Sequence, residues 1–164
     1  MPSGRTPGSR EAQVLFACVL SACMSVAVSL VAPAPAFADP KATVSVTVIH
    51  ARKGPPHLNV VLQPMWDTLR QTFGEKFAYY EVLGQASRKV DSGEPVELQL
   101  PTGVRFAAIY NGVTPEKGLL RVNVEMGEFR TKVRIHDGGV FFQAGQKHDG
   151  GTLIVAVRAV LDGK

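Results

Sequence analysis

Two copies of the tetrapeptide His-Asp-Gly-Gly lie near the end of the sequence. His136 and Asp137 begin the first copy, and His148 and Asp149 begin the second. Imidazole and carboxylate groups are common metal ligands, so two copies at the ends of neighbouring strands could converge on one metal ion and support a metal-dependent hydrolase. Asp-Gly is also a frequent way to reverse a strand. We therefore predict turns at both copies, with the metal site as the alternative hypothesis.

A second group of candidate residues is a basic stripe. Arg130, Lys132, Arg134 and His136 alternate in the sequence and would share one face of a strand. Residues on one face of a strand stand about 7 Å apart, a spacing that suits phosphates, carboxylates or an acidic partner strand. The alternative is a solvated sheet face, or an edge strand kept soluble by its charges.

The register of a predicted hairpin brings a further arginine to this stripe. Gly127-Glu128 is typical of a two-residue turn with glycine first, and it would pair residues 120–126 with residues 129–135 so that the apolar side chains share one face. On the other face, Arg121 would then lie opposite Arg134. Because like charges directly across a sheet cost stability, this pair indicates that an anion binds between them.

Three aromatic residues raise a different hypothesis, a glycan-binding or small-ligand-binding domain. Trp66, Tyr79 and Tyr80 could offer ring faces on which a flat apolar ligand surface stacks. Trp66, however, recurs at helical spacing with Leu69 and Phe73, which favours packing in the core.

The sequence from residue 39 onward contains no short catalytic motif. It has no H-E-x-x-H, no G-x-S-x-G and no phosphate-binding glycine loop, and its serines at 45, 87 and 92 are not adjacent to a histidine. No nucleophile with a neighbouring base can be named. We therefore favour a non-enzymatic domain without a cofactor, although catalysis by dispersed carboxylates would leave no motif.

The first 38 residues have the pattern of a secretory signal peptide. Arg5 and Arg10 precede an apolar run over residues 14–32, and Ala36 and Ala38 have the A-x-A spacing that signal peptidase accepts. We predict cleavage before Asp39, which places the mature protein in the periplasm or outside the cell, with a bacterial envelope favoured.

Two alternatives to simple cleavage remain open. The apolar run is long enough to span a bilayer if it stays attached, although the prolines and the cleavage site that follow it argue against an anchor. Residues 20–23 also resemble a lipobox ending in Cys23, which would carry a lipid anchor. Residues 24–32 remain apolar where a lipoprotein has a polar tether, so lipidation is disfavoured.

Cleavage at this site has consequences for the composition of the mature domain. Cys18 and Cys23 both lie in the apolar run, so the domain would have no disulfide and no thiolate. Removing Arg5, Arg10 and Glu11 from the 18 basic and 14 acidic residues leaves a net charge of +3. That charge is too small to indicate nucleic-acid binding.

The remaining pattern predicts a mainly β domain over residues 39–164. Residues 42–52 alternate as a strand with one buried face, residues 58–62 form a turn and residues 64–73 a helix, and residues 79–90 form a long strand. The loop at 101–103 joins a hairpin in which residues 96, 98 and 100 pair with residues 108, 106 and 104.

Two further strands complete the predicted domain, at residues 140–144 and 152–161. The second is apolar on both faces, which indicates a position inside a sheet with cover on both sides. About seven short strands and one helix favour a single antiparallel β-sandwich with Greek-key connections, and an open barrel is the alternative. The function expected of such a domain is binding or assembly, in which sheet edges or the basic hairpin face engage a protein or an anionic polymer.

Overall fold

Residues 39–163 are described by a computed structural model of the chain. The predicted signal peptide lies outside the described residues, and so do Cys18, Cys23, Ala36 and Ala38, on which the predictions of cleavage and lipidation depend. The described residues form these elements in chain order: β1 (Ala42–Arg52), β2 (His57–Leu58), a 3₁₀ helix (Val60–Met65), α1 (Trp66–Phe73), β3 (Tyr79–Val90), β4 (Pro95–Gln99), β5 (Arg105–Val113), β6 (Leu120–Met126), β7 (Phe129–Ile135), β8 (Val140–His148) and β9 (Gly151–Leu161).

The strands form two sheets that pack face to face. One sheet has five strands in the order β2-β3-β1-β9-β8, and the other has four strands in the order β4-β5-β6-β7. Alternate residues of both sheets bury one shared core, to which β1 contributes Val46, β5 contributes Phe106 and β6 contributes Val122. The predicted mainly β fold with two packed sheets and a short helix after the first strand is therefore confirmed.

The outer face of the five-stranded sheet is covered in part by the 3₁₀ helix and α1. Leu62 and Leu69 of these helices are fully buried against Ile49 and Ile154, which point away from the core between the sheets. β9 lies between β1 and β8 and is buried on both faces, as its continuous apolar sequence predicts.

The predicted start of the helix was wrong by two residues. Residues 60–65 form a 3₁₀ helix that contains Pro64, and α1 begins after it at Trp66. The side chain of Asn59 accepts a hydrogen bond from the Val61 backbone N–H at 3.1 Å and so caps this first turn. Within residues 39–163, no helix has the length and hydropathy needed to cross a membrane.

Both predicted hairpin registers are confirmed. Val96 pairs with Ala108 and Leu98 with Phe106. In the second hairpin, residues 120–126 pair with residues 129–135 around the turn at Gly127, as predicted. This second register positions the basic side chains described next.

Candidate anion-binding face

The outer side of the β6–β7 hairpin brings together three cations and an amide. Arg121 of β6 is the cross-strand partner of Arg134 of β7, and Asn123 is the partner of Lys132. Residues between them, such as Val122 and Val133, turn toward the core, so period-two alternation leaves the polar set on the solvent side. Asn111 of the neighbouring strand β5 lies beside this set.

These residues line a surface depression of about 500 Å³. Its polar lining consists of Asn111, Arg121, Asn123, Lys132 and Arg134, which we call the basic face. A second depression of about 380 Å³ lies between Arg134 and the loop from Thr114 to Leu119. Arg134 lines both depressions, so they form adjoining parts of one concave surface.

Acidic residues are paired at the opposite end of the same sheet surface. Glu125 forms an ion pair with Arg130, with Oε1 3.4 Å from Nε, and Glu97 forms an ion pair with Arg105. Among the ion pairs within residues 39–163, none engages the three cations of the basic face. The sheet surface is therefore close to neutral near the β6–β7 turn and cationic toward the far ends of the two strands.

A bulge in β5 borders the basic face beside Asn111. The β5–β6 register shifts between Tyr110 and Val113, and Gly112 adopts a φ of +76°. A side chain at Gly112 would meet the carboxylate of Asp39, so this close approach requires glycine. Burial raises the pKa of Tyr110; the charge of Asp39 raises it further, while the charge of Arg121 lowers it. Both charges therefore act on this end of the sheet.

His136 does not lie on β7 with Arg130, Lys132 and Arg134, the three other residues of the predicted stripe. β7 ends at Ile135, and His136 is an exposed residue of the following turn. That turn is fastened to β9, because the Gly138 N–H donates to Ala159 O at 2.9 Å and the Leu161 N–H donates to Asp137 Oδ1 at 2.8 Å.

The two His-Asp-Gly-Gly segments are both turns, and they lie far apart. The first contacts the C-terminal end of β9, and the second, with His148 and Asp149, leads into Gly151 at the start of β9. A strand of this length separates its ends by about 30 Å. Among residues 39–163, no three His, Cys, Asp or Glu side chains are grouped to hold a metal ion. The geometry therefore does not bring His136, Asp137, His148 and Asp149 to one metal.

The second turn borders another depression, of about 750 Å³, lined in part by Lys53, Lys147 and Asp149. Under it, His50 is 6% exposed, and its Nε2 lies 3.0 Å from the backbone oxygen of His148. His50 therefore points inward and helps to hold the β8–β9 turn. Asp149 supplies a negative charge to this lining, whereas no carboxylate lines the depression beside Arg121 and Arg134.

The predicted aromatic platform is occupied by the protein itself. Tyr80 is fully buried, and its hydroxyl donates to Phe77 O at 3.1 Å. The ring of Tyr79 stacks on His57 at 4.6 Å between centroids, and Arg52 lies 3.8 Å from the same centroid. Arg52 and His57 come from the strands on either side of β3, so they cover the ring from both sides. Trp66 packs against the helix-side core, as its helical spacing predicts.

Sequence reasoning missed Asn111 and the loop from Thr114 to Leu119. The parity that places residues 105, 107 and 109 outward also places Asn111 outward, but the predicted hairpin pairing ended at residue 108, before Asn111. Continued alternation along β5 was therefore the available signal for Asn111. No family model, curated protein or solved structure matches the chain.

Proposed function

We propose that this protein is an exported, non-catalytic binding module that holds an anionic partner on its basic face. The observation that carries the proposal is the Arg121–Arg134 pair, two cations that are cross-strand partners and have no acidic neighbour in an ion pair among the described residues. Together with Lys132 they line a concave surface rather than a convex one. An anion between the two guanidinium groups would replace their repulsion with attraction.

The chemistry of the lining residues suits binding better than turnover. Arginine keeps its charge at all physiological pH values and presents several N–H donors to one carboxylate or phosphate. The amides of Asn111 and Asn123 add neutral donors beside the charges. Guanidinium and amide groups are donors that suit recognition of an anion rather than acid or base catalysis.

The partner would be a protein or a polymer with several anionic groups. The depression of the basic face is open to solvent and adjoins the second depression at Arg134, where Glu116 and Lys117 also line the surface, so a chain can lie across both. The leading 38 residues support a location in the periplasm or outside the cell, where such a partner would belong to the envelope or the surrounding medium.

The proposal is tested by titrating the purified exported protein with poly-glutamate and, separately, with inorganic polyphosphate, at several salt concentrations. These two polymers distinguish carboxylate from phosphate as the preferred anion. We expect a variant with Arg121→Gln, Lys132→Gln and Arg134→Gln to bind the preferred polymer at least about tenfold more weakly and with a smaller salt dependence.

The matched control carries Lys53→Gln, Lys76→Gln and Lys147→Gln, which remove the same net charge elsewhere. We expect the control to retain most of the affinity. Equal weakening of both variants would mean that net charge alone attracts the polymers, and no binding of either polymer to the unmodified protein would reject the proposal.

A further inference from the structure

β7 is an edge strand, and no other strand of the described residues pairs with its side away from β6. The four-stranded sheet ends at β7, which runs for seven residues without a bulge against β6. An edge strand of this kind carries backbone N–H and C=O groups that can pair with another strand. The identity of the residues that carry these outward groups follows from the hydrogen-bond pattern of the sheet.

The Gly127 N–H donates to Arg105 O at 3.2 Å. This bond makes Phe106 and Met126 a non-hydrogen-bonded pair in the β5–β6 ladder, so Met126 turns its own backbone groups toward Phe129 of β7. Backbone groups alternate in direction along an antiparallel strand. Residues 129, 131, 133 and 135 therefore bond to β6, and residues 130, 132 and 134 direct their N–H and C=O groups to the open side.

The same three residues carry the positive charges. Arg130, Lys132 and Arg134 are exposed on the outer face of the sheet. The alternate residues face the other way, where Phe129 is 41% exposed and Val133 is half-buried against the core. The open side of β7 thus has three outward peptide groups. Three cations lie on the outer face of the sheet beside them, and an incompletely covered apolar edge lies on the face toward the core.

From this arrangement we infer that the anionic partner presents an extended segment of alternating acidic and apolar residues, which adds to β7 as an antiparallel strand. The inference rests on the proposed function and names the partner's chemistry. Acidic residues of that segment lie directly opposite Arg130, Lys132 and Arg134, at about 5.5 Å between Cα atoms. The intervening apolar residues cover Phe129 and extend the core.

A second copy of this chain does not fit the same edge. Antiparallel pairing of β7 with β7 about Lys132 would place Lys132 opposite Lys132 and Arg130 opposite Arg134, and like charges directly opposite are destabilising. The other edge of this sheet is less suited to added strands, because β4 has five residues and begins with Pro95. Charge complementarity therefore selects an acidic strand at β7.

The test measures backbone hydrogen exchange of the exported protein by NMR. The probe is a capped peptide of alternating Glu and Val residues as long as β7, and the control peptide has the same composition with its Glu residues in one block. We expect the alternating peptide to slow exchange at the amides of residues 130, 132 and 134 by at least about tenfold. The amides of residues 131 and 133 are already bonded to β6 and should change little.

Two variants at one position separate the backbone contribution from the charge. Lys132→Gln removes the charge and keeps the outward N–H, whereas Lys132→Pro removes both, and proline is tolerated where an edge N–H faces solvent. We expect Lys132→Pro to bind the alternating peptide at least about tenfold more weakly than Lys132→Gln does.

The outcomes also distinguish this inference from the proposed function. If both peptides bind equally, without protection at residues 130, 132 and 134, strand addition is wrong while anion binding on the basic face stands. If neither peptide nor either anionic polymer binds, both are wrong. If the charges of β7 serve instead to keep other strands from the edge, the block peptide and the polymers will bind, and the alternating peptide will bind no more tightly than they do. That result would also reject strand addition.

Discussion

Arg121 and Arg134 are cross-strand partners on the outer face of the β6–β7 hairpin. Toward the turn, Asn123 lies opposite Lys132, and then Glu125 lies opposite Arg130. Opposite charges therefore face each other near the turn, and like charges face each other at the far end of the hairpin. The stability of the free protein is thereby lowered at the place where we propose that the partner binds. A trade between folding stability and binding is common at functional sites.

This trade predicts the effect of charge reversal at Arg134. Arg134→Glu would place a carboxylate opposite Arg121 and should raise the free energy of unfolding by about 0.2–1 kcal/mol, while weakening binding of the anionic polymer. The matched control is Arg130→Glu, which sets a like charge against Glu125 and should lower stability. Urea denaturation at low salt measures both, and a loss of stability with Arg134→Glu would contradict repulsion between the two arginines.

A substitution at Gly151 should destabilise the β8–β9 turn. A Cβ atom there would lie 2.6 Å from Ala51 O and would collide with the ring of His50, which is buried and cannot move away freely. We expect Gly151→Ala to cost about 1–3 kcal/mol, as overpacking of a core does. Thermal unfolding measures the change.

The control for Gly151 is Gly84 of β3. A Cβ atom at Gly84 meets nothing within 4 Å, and its φ is not positive. Gly84→Ala should therefore leave stability unchanged or raise it by up to about 1 kcal/mol, because alanine restricts the unfolded chain. Equal destabilisation by both substitutions would show that the contact with His50 is not the cause.

The ion pair of Lys89 with Asp162 predicts part of the acid sensitivity of the domain. The ion pair with Lys89, whose Nζ lies 2.9 Å from Oδ2, is the main cause that lowers the pKa of Asp162 from its ordinary 3.8, and Thr43 donates a hydrogen bond to Oδ1 at 3.0 Å. A carboxyl group with a lowered folded pKa stabilises the protein above its unfolded pKa and loses that effect as the pH falls through the folded value.

Lys89→Gln should therefore lower the urea midpoint at neutral pH, and the difference from the unmodified protein should shrink below about pH 3.8. The comparison variant is Lys76→Gln on the loop after α1, which we expect to show no such pH dependence. A difference that grows on acidification would have the wrong sign for this ion pair.

The hydroxyl of Tyr110 should fasten the first described residues to the domain. It donates a hydrogen bond to Pro40 O at 2.8 Å from a buried position. We expect Tyr110→Phe to cost about 1 kcal/mol, because the Pro40 carbonyl loses its partner. Tyr79→Phe is the control, since the Tyr79 hydroxyl contacts a half-buried Glu81 at 3.4 Å. Identical unfolding curves for Tyr110→Phe and the unmodified protein would show that this hydrogen bond does not contribute to stability.

Local patterns were sufficient for the two hairpins. In residues 120–135, the apolar face and the two-residue turn allow one register, because a shift by one residue would move every apolar side chain into water. The opposition of Arg121 and Arg134 followed from that register. Residues 39–163 form nine strands where about seven were predicted, in part because β2 has only two residues and no alternation to mark it.

Long-range pairing decided what the local patterns left open. The two His-Asp-Gly-Gly turns have the same sequence, yet they lie at opposite ends of β9, because the partners of each strand depend on the packing of the whole chain. The loop from Thr114 to Leu119 came to lie beside Arg134, which no alternation of residues indicates. The start of α1 likewise depended on how residues 60–65 pack against the sheet.

By itself, the sequence determined which residues alternate, where the chain turns and which side chains share a strand face, since these properties depend on neighbours two to four residues away. Only the tertiary structure decided that β7 is an edge and that the cationic end of the β6–β7 hairpin is concave. It also decided that Tyr79 is covered by Arg52 and His57. Those properties arise from contacts between distant segments, which local periodicity does not encode.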